Sequence, residues 1–318
     1  MNIVRVALAV PLPRFFDYLY SPDLMPIVGG RVLVPFGSQK RVGIVVDLPA
    51  SSDVAKEKLK PIIDVLDTES LFNSTTWDWL AWSANYYRAA LGDVLFQALP
   101  VKLRNGESVV KNDRTFWRIT ELGKQALESG ELKRAKKQIE ALNLLLTQDL
   151  EKGNNEISSA IWSALKGKDY VEEVIVPTEQ KSWQQALGDN PLVNFDNRLT
   201  LNKQQALAFS QLLFQEGFNV WLLEGVTGSG KTEIYLQYIE EVLKKGKQVL
   251  VLVPEIGLTP QTVRRFQARF NVEIDVLHSN LNDSQRLNVW ERARTGQSAI
   301  VIGTRSALFT QFSDLGLI

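Results

Sequence analysis

The segment Gly225-Val226-Thr227-Gly228-Ser229-Gly230-Lys231-Thr232 reads G-x-x-x-x-G-K-T and constrains this chain more than any other stretch. The apolar run Val220-Trp221-Leu222-Leu223 before it predicts a strand. Ile234, Tyr235, Tyr238, Ile239 and Val242 after it predict a helix from Lys231 to about Leu243. Strand, loop and helix in that order separate a phosphate-binding loop from a chance glycine-rich turn. The glycines allow a tight backbone, so that consecutive N–H groups and the helix N-terminus face one anion. Lys231 then reaches the outer phosphates, and the Thr232 hydroxyl is the expected Mg²⁺ ligand. The chain is expected to bind a nucleoside triphosphate.

Composition removes several alternatives. Lysine plus arginine number 36 and aspartate plus glutamate 36, so no global basic field marks a nucleic-acid binder, and local patches must carry any such role. The absence of cysteine excludes disulfides and cysteine-bound zinc within these residues, and one histidine, His278, argues against a histidine-based metal site. No uncharged apolar run is long enough to span a bilayer. The expectation is a soluble cytoplasmic protein with no membrane partner.

Four stretches differ in character. Residues 1–104 read as a β-rich unit followed by helix, with strands at Val4–Val10, Arg31–Val34 and Val42–Asp47 and a turn at Pro35-Phe36-Gly37-Ser38. The helix carries Trp77, Leu80, Ala84 and Tyr87 on one face with Trp79, Trp82 and Tyr86 nearby, able either to pack into a small core or to stack on bases. Residues 105–177 hold a short strand at Phe116–Ile119, helices at Lys133–Leu146 and Ile157–Lys166 and an alternating piece at Tyr170–Val176, compatible with a winged-helix-like domain. The run Lys133-Arg134-Ala135-Lys136-Lys137 there suits either phosphates or a solvated helix face. Residues 178–198 are polar with little periodicity and read as a linker. From 199 to 318, strands alternate with helices, which predicts a parallel sheet with ligands at the strands' C-terminal ends. The fold class is multidomain α/β. The modules before the linker each have apolar patterning of their own and are expected to fold independently.

A phosphate loop serves kinases, GTPases, transporters and helicases alike, so further motifs decide. Gln205, just before the loop's strand, can both donate to and accept from an adenine edge, which favours ATP. Val253-Pro254-Glu255-Ile256-Gly257-Leu258-Thr259-Pro260-Gln261 and Ile302-Gly303-Thr304-Arg305-Ser306-Ala307 each follow a strand. They set small polar residues and helix N-termini on one rim, suited to a row of phosphates from a single DNA strand. A small-molecule P-loop kinase leaves the N-terminal modules unexplained.

Together these motifs resemble the superfamily 2 DNA helicases that restart stalled replication forks. The resemblance extends to Val10-Pro11-Leu12-Pro13-Arg14-Phe15-Phe16-Asp17-Tyr18 and Arg31-Val32-Leu33-Val34-Pro35-Phe36-Gly37, which look like that family's 3′ DNA-binding domain. It implies an ATP- and Mg²⁺-dependent 3′→5′ helicase, with a first helicase lobe at 199–318. Its partners would be forked DNA with a nascent-strand 3′ end, single-stranded DNA, primosome proteins and single-stranded-DNA-binding protein. Phe16, Asp17, Gly37 and Lys60 match the residues that hold the 3′-terminal nucleotide. They would supply an aromatic face, a carboxylate for the 3′-OH, a close backbone approach and a cation for phosphate.

In the family an acidic Walker B motif follows the strand that begins near Leu315, here expected beside the strand of the phosphate loop. That motif, the second lobe with its arginine fingers and the zinc-binding region do not occur in these residues. The resemblance therefore implies a truncated lobe, with zinc expected only in the missing part and turnover by these residues in doubt. A non-catalytic fork-binding protein stands as the alternative.

Overall fold

A computed structural model describes residues 2–109, 114–129, 132, 135–153, 157–176, 180–213 and 217–318. The chain divides into two compact units, residues 1–109 with 181–318, and residues 110–180.

The first unit opens with a five-stranded antiparallel sheet. Its strands are β1 (Ile3–Leu8), β2 (Phe16–Leu19), β3 (Arg31–Phe36), β4 (Gln39–Asp47) and β5 (Asp64–Val65), in the order β2-β1-β4-β3-β5. Alternation assigns the faces. Val4, Val6 and Leu8 join Val32, Val34 and Val45 in one core, whereas Ala7 and Ile44 face helices α1 (Ser74–Tyr86), α2 (Leu91–Gln97) and α3 (Val101–Arg104). β3 and β4 meet in a two-residue turn whose first residue, Gly37, has φ +60°, a value that favours glycine. Arg31, fully buried, ties the sheet to α3. It donates to the Asp67 carboxylate at 2.8 Å and to the Leu103 carbonyl at 2.6 Å.

The second unit contains β6 (Arg114–Ile119), α4 (Glu121–Ser129), α5 (Lys136–Thr147), β7 (Leu150–Glu151), α6 (Ser159–Lys166) and β8 (Val171–Val176). The strands form an antiparallel sheet in the order β7-β6-β8. Trp117 and Trp162 stack at 5.3 Å in its core. Of the cationic run, Lys133 and Arg134 lie outside the described residues.

The chain re-enters the first unit through α7 (Trp183–Leu187), followed by α8 (Lys203–Leu213) and α9 (Lys231–Lys244). Then come β9 (Gln248–Leu252), α10 (Pro260–Arg269), β10 (Ile274–Leu277), α11 (Asp283–Arg294), β11 (Ile300–Gly303) and β12 (Leu315–Leu317). The sheet is parallel, in the order β10-β11-β9-β12. Its central strand β11 and the first half of β9 are buried on both faces, as crossover helices require. Val249, Ile300 and Ile302 pack against α9 and α10, while Leu250 and Val301 pack against α11.

Three expectations need correction. Val220–Leu223 is not a strand. It pairs with no strand of the sheet, and Val220 and Leu222 are 83% and 90% exposed. β12 pairs with β9 rather than with this segment, and being only three residues long it offers little ladder on its other edge. An apolar extended segment is stabilised only by strands beside it. Residues 180–198 are not a free linker either. Ser182 and Gln185 make a reciprocal capping box that starts α7, and Trp183 and Val193 are buried in the lobe's core. Finally, the core under α1–α3 takes in Leu287 and Trp290 of α11. That shared core argues against an N-terminal module folding alone.

Candidate functional site

The phosphate loop turns where its glycines permit it. Gly228 and Gly230 have φ of +83° and +82°, and Gly230 caps the N-terminus of α9. A side chain at Gly230 would collide with Gln205, whose Nε2 lies 2.2 Å from the would-be Cβ. Gln205 is therefore seated on the loop. Its Nε2 donates to the Ser229 carbonyl at 2.9 Å and its Oε1 accepts from the Asn202 N–H at 2.9 Å. Each atom keeps one further hydrogen-bonding position, enough for an adenine edge. Gln204 beside it is exposed.

The Lys231 ammonium curls back over the loop, donating to the carbonyls of Gly225 and Val226. Thr232 accepts from the Tyr235 hydroxyl at 3.2 Å, which leaves a lone pair for a cation. Thr227 to Thr232 line a cleft of about 730 Å³ shared with Asn197, Leu199, Arg265 and Arg269. Its glycine turns, helix N-terminus and mobile ammonium fit a nucleotide's phosphates, and the Thr232 hydroxyl fits the accompanying Mg²⁺. Among the described residues no cluster of three histidine, aspartate or glutamate side chains could hold a metal by itself.

One residue beyond Thr232 the floor of the cleft is ionic. The buried Glu233 carboxylate accepts from Arg269 Nη2 and from Gln237 Nε2, both at 2.8 Å. Arg269 also donates to the Asn197 carbonyl at 2.6 Å, and Gln237 to the Leu199 carbonyl at 2.9 Å. The network pins the start of α9 to the end of α10 and to the segment before α8. Sequence reading passed over Glu233 and Arg269, although a carboxylate directly after G-K-T on the helix's inward face is a visible signal.

The two rim motifs come together as expected. Glu255, Leu258, Thr259 and Pro260 line one cleft of about 540 Å³ with Thr304, and His278 joins them. Thr259 caps α10 by accepting from the Thr262 N–H at 3.2 Å.

Of the four end-binding candidates, three lie around the N-terminal half of edge strand β2 and the neighbouring hairpin. Phe16 and Phe36 meet edge-on at 5.2 Å, which brings Phe16 to the exposed Gly37 turn. Asp17 faces the opposite side of β2, so a nucleotide can reach both residues only around the sheet's open edge. Its side chain is 8% exposed and already engaged. Arg5, its cross-strand partner, donates to Oδ1 at 2.8 Å and to Oδ2 at 3.0 Å, and the Ser52 hydroxyl to Oδ2 at 2.6 Å. The Arg5 hydrogen bonds hold this carboxyl below the usual range despite burial, with Ser52 adding to the effect. One acceptor position remains on Oδ1 for a hydroxyl. Lys60 lies at the other end of β2, where its carbonyl accepts from the Leu19 N–H at 2.9 Å and its side chain is exposed.

Residues 5–100 match the 3′ DNA-binding domain of PriA, and residues 202–318 match the DEAD/DEAH box helicase domain. The chain is 74% identical over its whole length to the replication restart protein PriA of Haemophilus influenzae. The chain therefore matches the N-terminal portion of PriA. PriA of Buchnera aphidicola from Acyrthosiphon pisum is 35% identical over the whole chain and that of Bacillus subtilis 28%. The chain spans 44%, 43% and 48% of these three relatives respectively. That likeness matches the order of its parts, with the antiparallel sheet first and the phosphate-loop lobe last. No helix among the described residues is long and apolar enough to cross a membrane.

Proposed function

We propose that these residues are the fork-recognition and ATP-phosphate-binding part of an ATP-dependent 3′→5′ DNA helicase that restarts stalled replication forks in the cytoplasm. The observation that carries this reading is the packing of the β2 edge-strand domain onto the lobe holding the phosphate loop, through the core shared by α1–α3 and α11. An end-binding domain fixed to a motor lobe couples the position of a nascent strand to movement along the template.

Each residue then has a task. Phe16 gives the terminal base an aromatic face, Asp17 accepts from the 3′-OH through Oδ1, Gly37 admits the backbone and Lys60 meets phosphate. Gln205 reads adenine while holding the loop. Lys231 leaves the carbonyls of Gly225 and Val226 for the outer phosphates, and Thr232 ligates Mg²⁺, which neutralises phosphate charge when bound. Thr259 and Thr304 hold single-stranded DNA along the rim. The middle unit acts as a winged-helix-like DNA contact. Primosome proteins and single-stranded-DNA-binding protein are the partners the family relationship suggests.

The deciding experiment compares fork DNA carrying a 3′-OH with the same fork carrying a 3′-phosphate, by fluorescence anisotropy. A lost hydrogen bond at a half-buried acceptor should favour the 3′-OH by about 1–2 kcal/mol. Asp17→Asn should reduce that difference. Equal affinities in the parent chain would rule out end recognition by this pocket.

A further inference from the structure

We propose that Arg14 and Arg41 form a phosphate-binding rim that holds the DNA strand immediately 5′ of its terminal nucleotide. The proposal deepens the end-recognition reading and rests on it.

Arg14 and Arg41 stand at the aromatic pair, whereas Lys40, between Arg41 and the turn, faces the opposite side of the hairpin. Arg14 places its guanidinium 5.1 Å from the centre of the Phe16 ring, and Arg41 lies 5.5 Å from that of Phe36. All three cations are exposed, and none is ion-paired among the described residues. Their neighbours differ. Arg5 is matched by Asp17 and Asp47, and Arg31 by Asp67. Lys40 and Arg41 also line a groove of about 460 Å³ with Arg104, where Asp93 is the one carboxylate. The uncompensated charge of Arg14 and Arg41 therefore collects at the Phe16–Phe36 pair, and that of Lys40 on the helix-facing side of the hairpin.

Geometry supplies the rest. Both rings pack on the sheet's core, and Arg14 covers Phe16 from outside. A terminal base that stacks on Phe16 must displace or overlie the Arg14 guanidinium. The displaced group, still tethered two residues away, meets the phosphate of the same nucleotide. A guanidinium resting on an aromatic face keeps its N–H edge free for bidentate contact with phosphate oxygens. Lys60, at the opposite end of β2, cannot cover that side of the nucleotide.

The test uses the whole 318-residue chain and a 5′-fluorescein single strand with a 3′-OH, read by anisotropy over a salt series. Arg14→Ala and Arg41→Ala should each weaken binding by about three- to tenfold. Each should also flatten the plot of log affinity against log salt by about 0.7, the value for one lost single-strand phosphate contact. Replacing the last two linkages by neutral methylphosphonates should weaken the parent and erase its difference from the variants. Arg41→Lys should keep the salt slope while losing part of the affinity, because it retains the charge but not the fork. Unchanged slopes, or variants equally impaired on the neutral-linkage strand, would overturn the rim and leave the 3′-OH preference standing. A parent with no 3′-OH preference would instead remove the reading beneath the proposal, and the proposal with it.

Discussion

Gln311 donates its side-chain amide to the carbonyl oxygen of Leu71 at 2.6 Å, across 240 positions of sequence. The Gln311 Oε1 accepts in turn from the Asn73 N–H at 3.2 Å, and the Asn73 amide donates to the Phe312 carbonyl at 3.0 Å. Asn73 also caps α1 through the Thr76 N–H. One glutamine, 1% exposed, thus fastens the start of the aromatic helix to the segment that follows the Gly303-Thr304-Arg305 motif. Trp79 packs on Phe309 at 5.6 Å beside it. The antiparallel sheet and the segment after the Gly303-Thr304-Arg305 motif are therefore parts of one packed body.

Gln311→Ala should lower stability by about 1–2 kcal/mol, because it leaves the buried Leu71 carbonyl without its partner and takes the acceptor from the Asn73 N–H. Urea unfolding followed by tryptophan fluorescence measures this, since Trp290 sits in the shared core. The parent should show the antiparallel sheet and the lobe melting together, with protease sensitivity appearing in both at once. A stable N-terminal fragment surviving loss of the lobe would contradict the shared core.

The Arg5–Asp17 pair makes an acid-side prediction. Asp17 has a folded pKa held below its unfolded value, chiefly by the Arg5 hydrogen bonds. Its contribution is fully present above the unfolded pKa of about 3.9 and is lost as pH falls through the folded value. Stability from this pair, and the 3′-OH preference, should be flat from about pH 5 to 8. Below about pH 4 the parent should lose more stability than Asp17→Asn, which has no such proton to gain. Parallel acid limbs for the two proteins would show that the pair does not act this way.

How much of this was legible beforehand varies with the physics behind each element. The strands β9 and β11 are near-continuous apolar runs and were readable because a doubly covered parallel strand needs no partner pattern. The turn at Gly230 was readable from the G-x-x-x-x-G-K-T spacing, whereas Gly228 falls at one of its open positions. Val220–Leu223 was misread because an apolar run specifies burial, whereas pairing depends on a neighbour that local sequence does not encode. Ser182-x-x-Gln185 is a capping box visible in sequence, obscured by its polar surroundings. Arg5 as the partner of Asp17 follows only from the β1–β2 register, and Gln311 from contacts between distant segments. Neither leaves a local trace.

Gln205, proposed to read adenine, also braces the loop through the Ser229 carbonyl. Gln205→Ala should weaken binding of a fluorescent ATP analogue by about fivefold, near 1 kcal/mol for one hydrogen bond. It should also narrow the discrimination between ATP and GTP. Lys231→Ala should weaken both nucleotides more, without changing that ratio. Equal ATP and GTP affinity in the parent would remove Gln205 from base recognition and leave it as a brace for Ser229.

The Glu233–Arg269 pair decides whether the phosphate loop has a rigid floor. Both groups are buried, and each charge is compensated by the other at 2.8 Å. Arg269→Ala leaves the Glu233 carboxylate with only Gln237 as donor, a loss expected to cost about 3–5 kcal/mol. It also frees the start of α9, directly after Thr232, so affinity for the ATP analogue should fall even at temperatures where the variant stays folded. The double variant Glu233→Leu, Arg269→Leu distinguishes charge pairing from packing. An apolar pair of similar bulk carries no uncompensated charge and should recover most of the stability. It would not restore the Arg269 contact to the Asn197 carbonyl, so nucleotide affinity should recover less than stability does. Full recovery of both would mean that the polar network fixes only the fold, and that the loop's shape comes from Gly228, Gly230 and Gln205 alone.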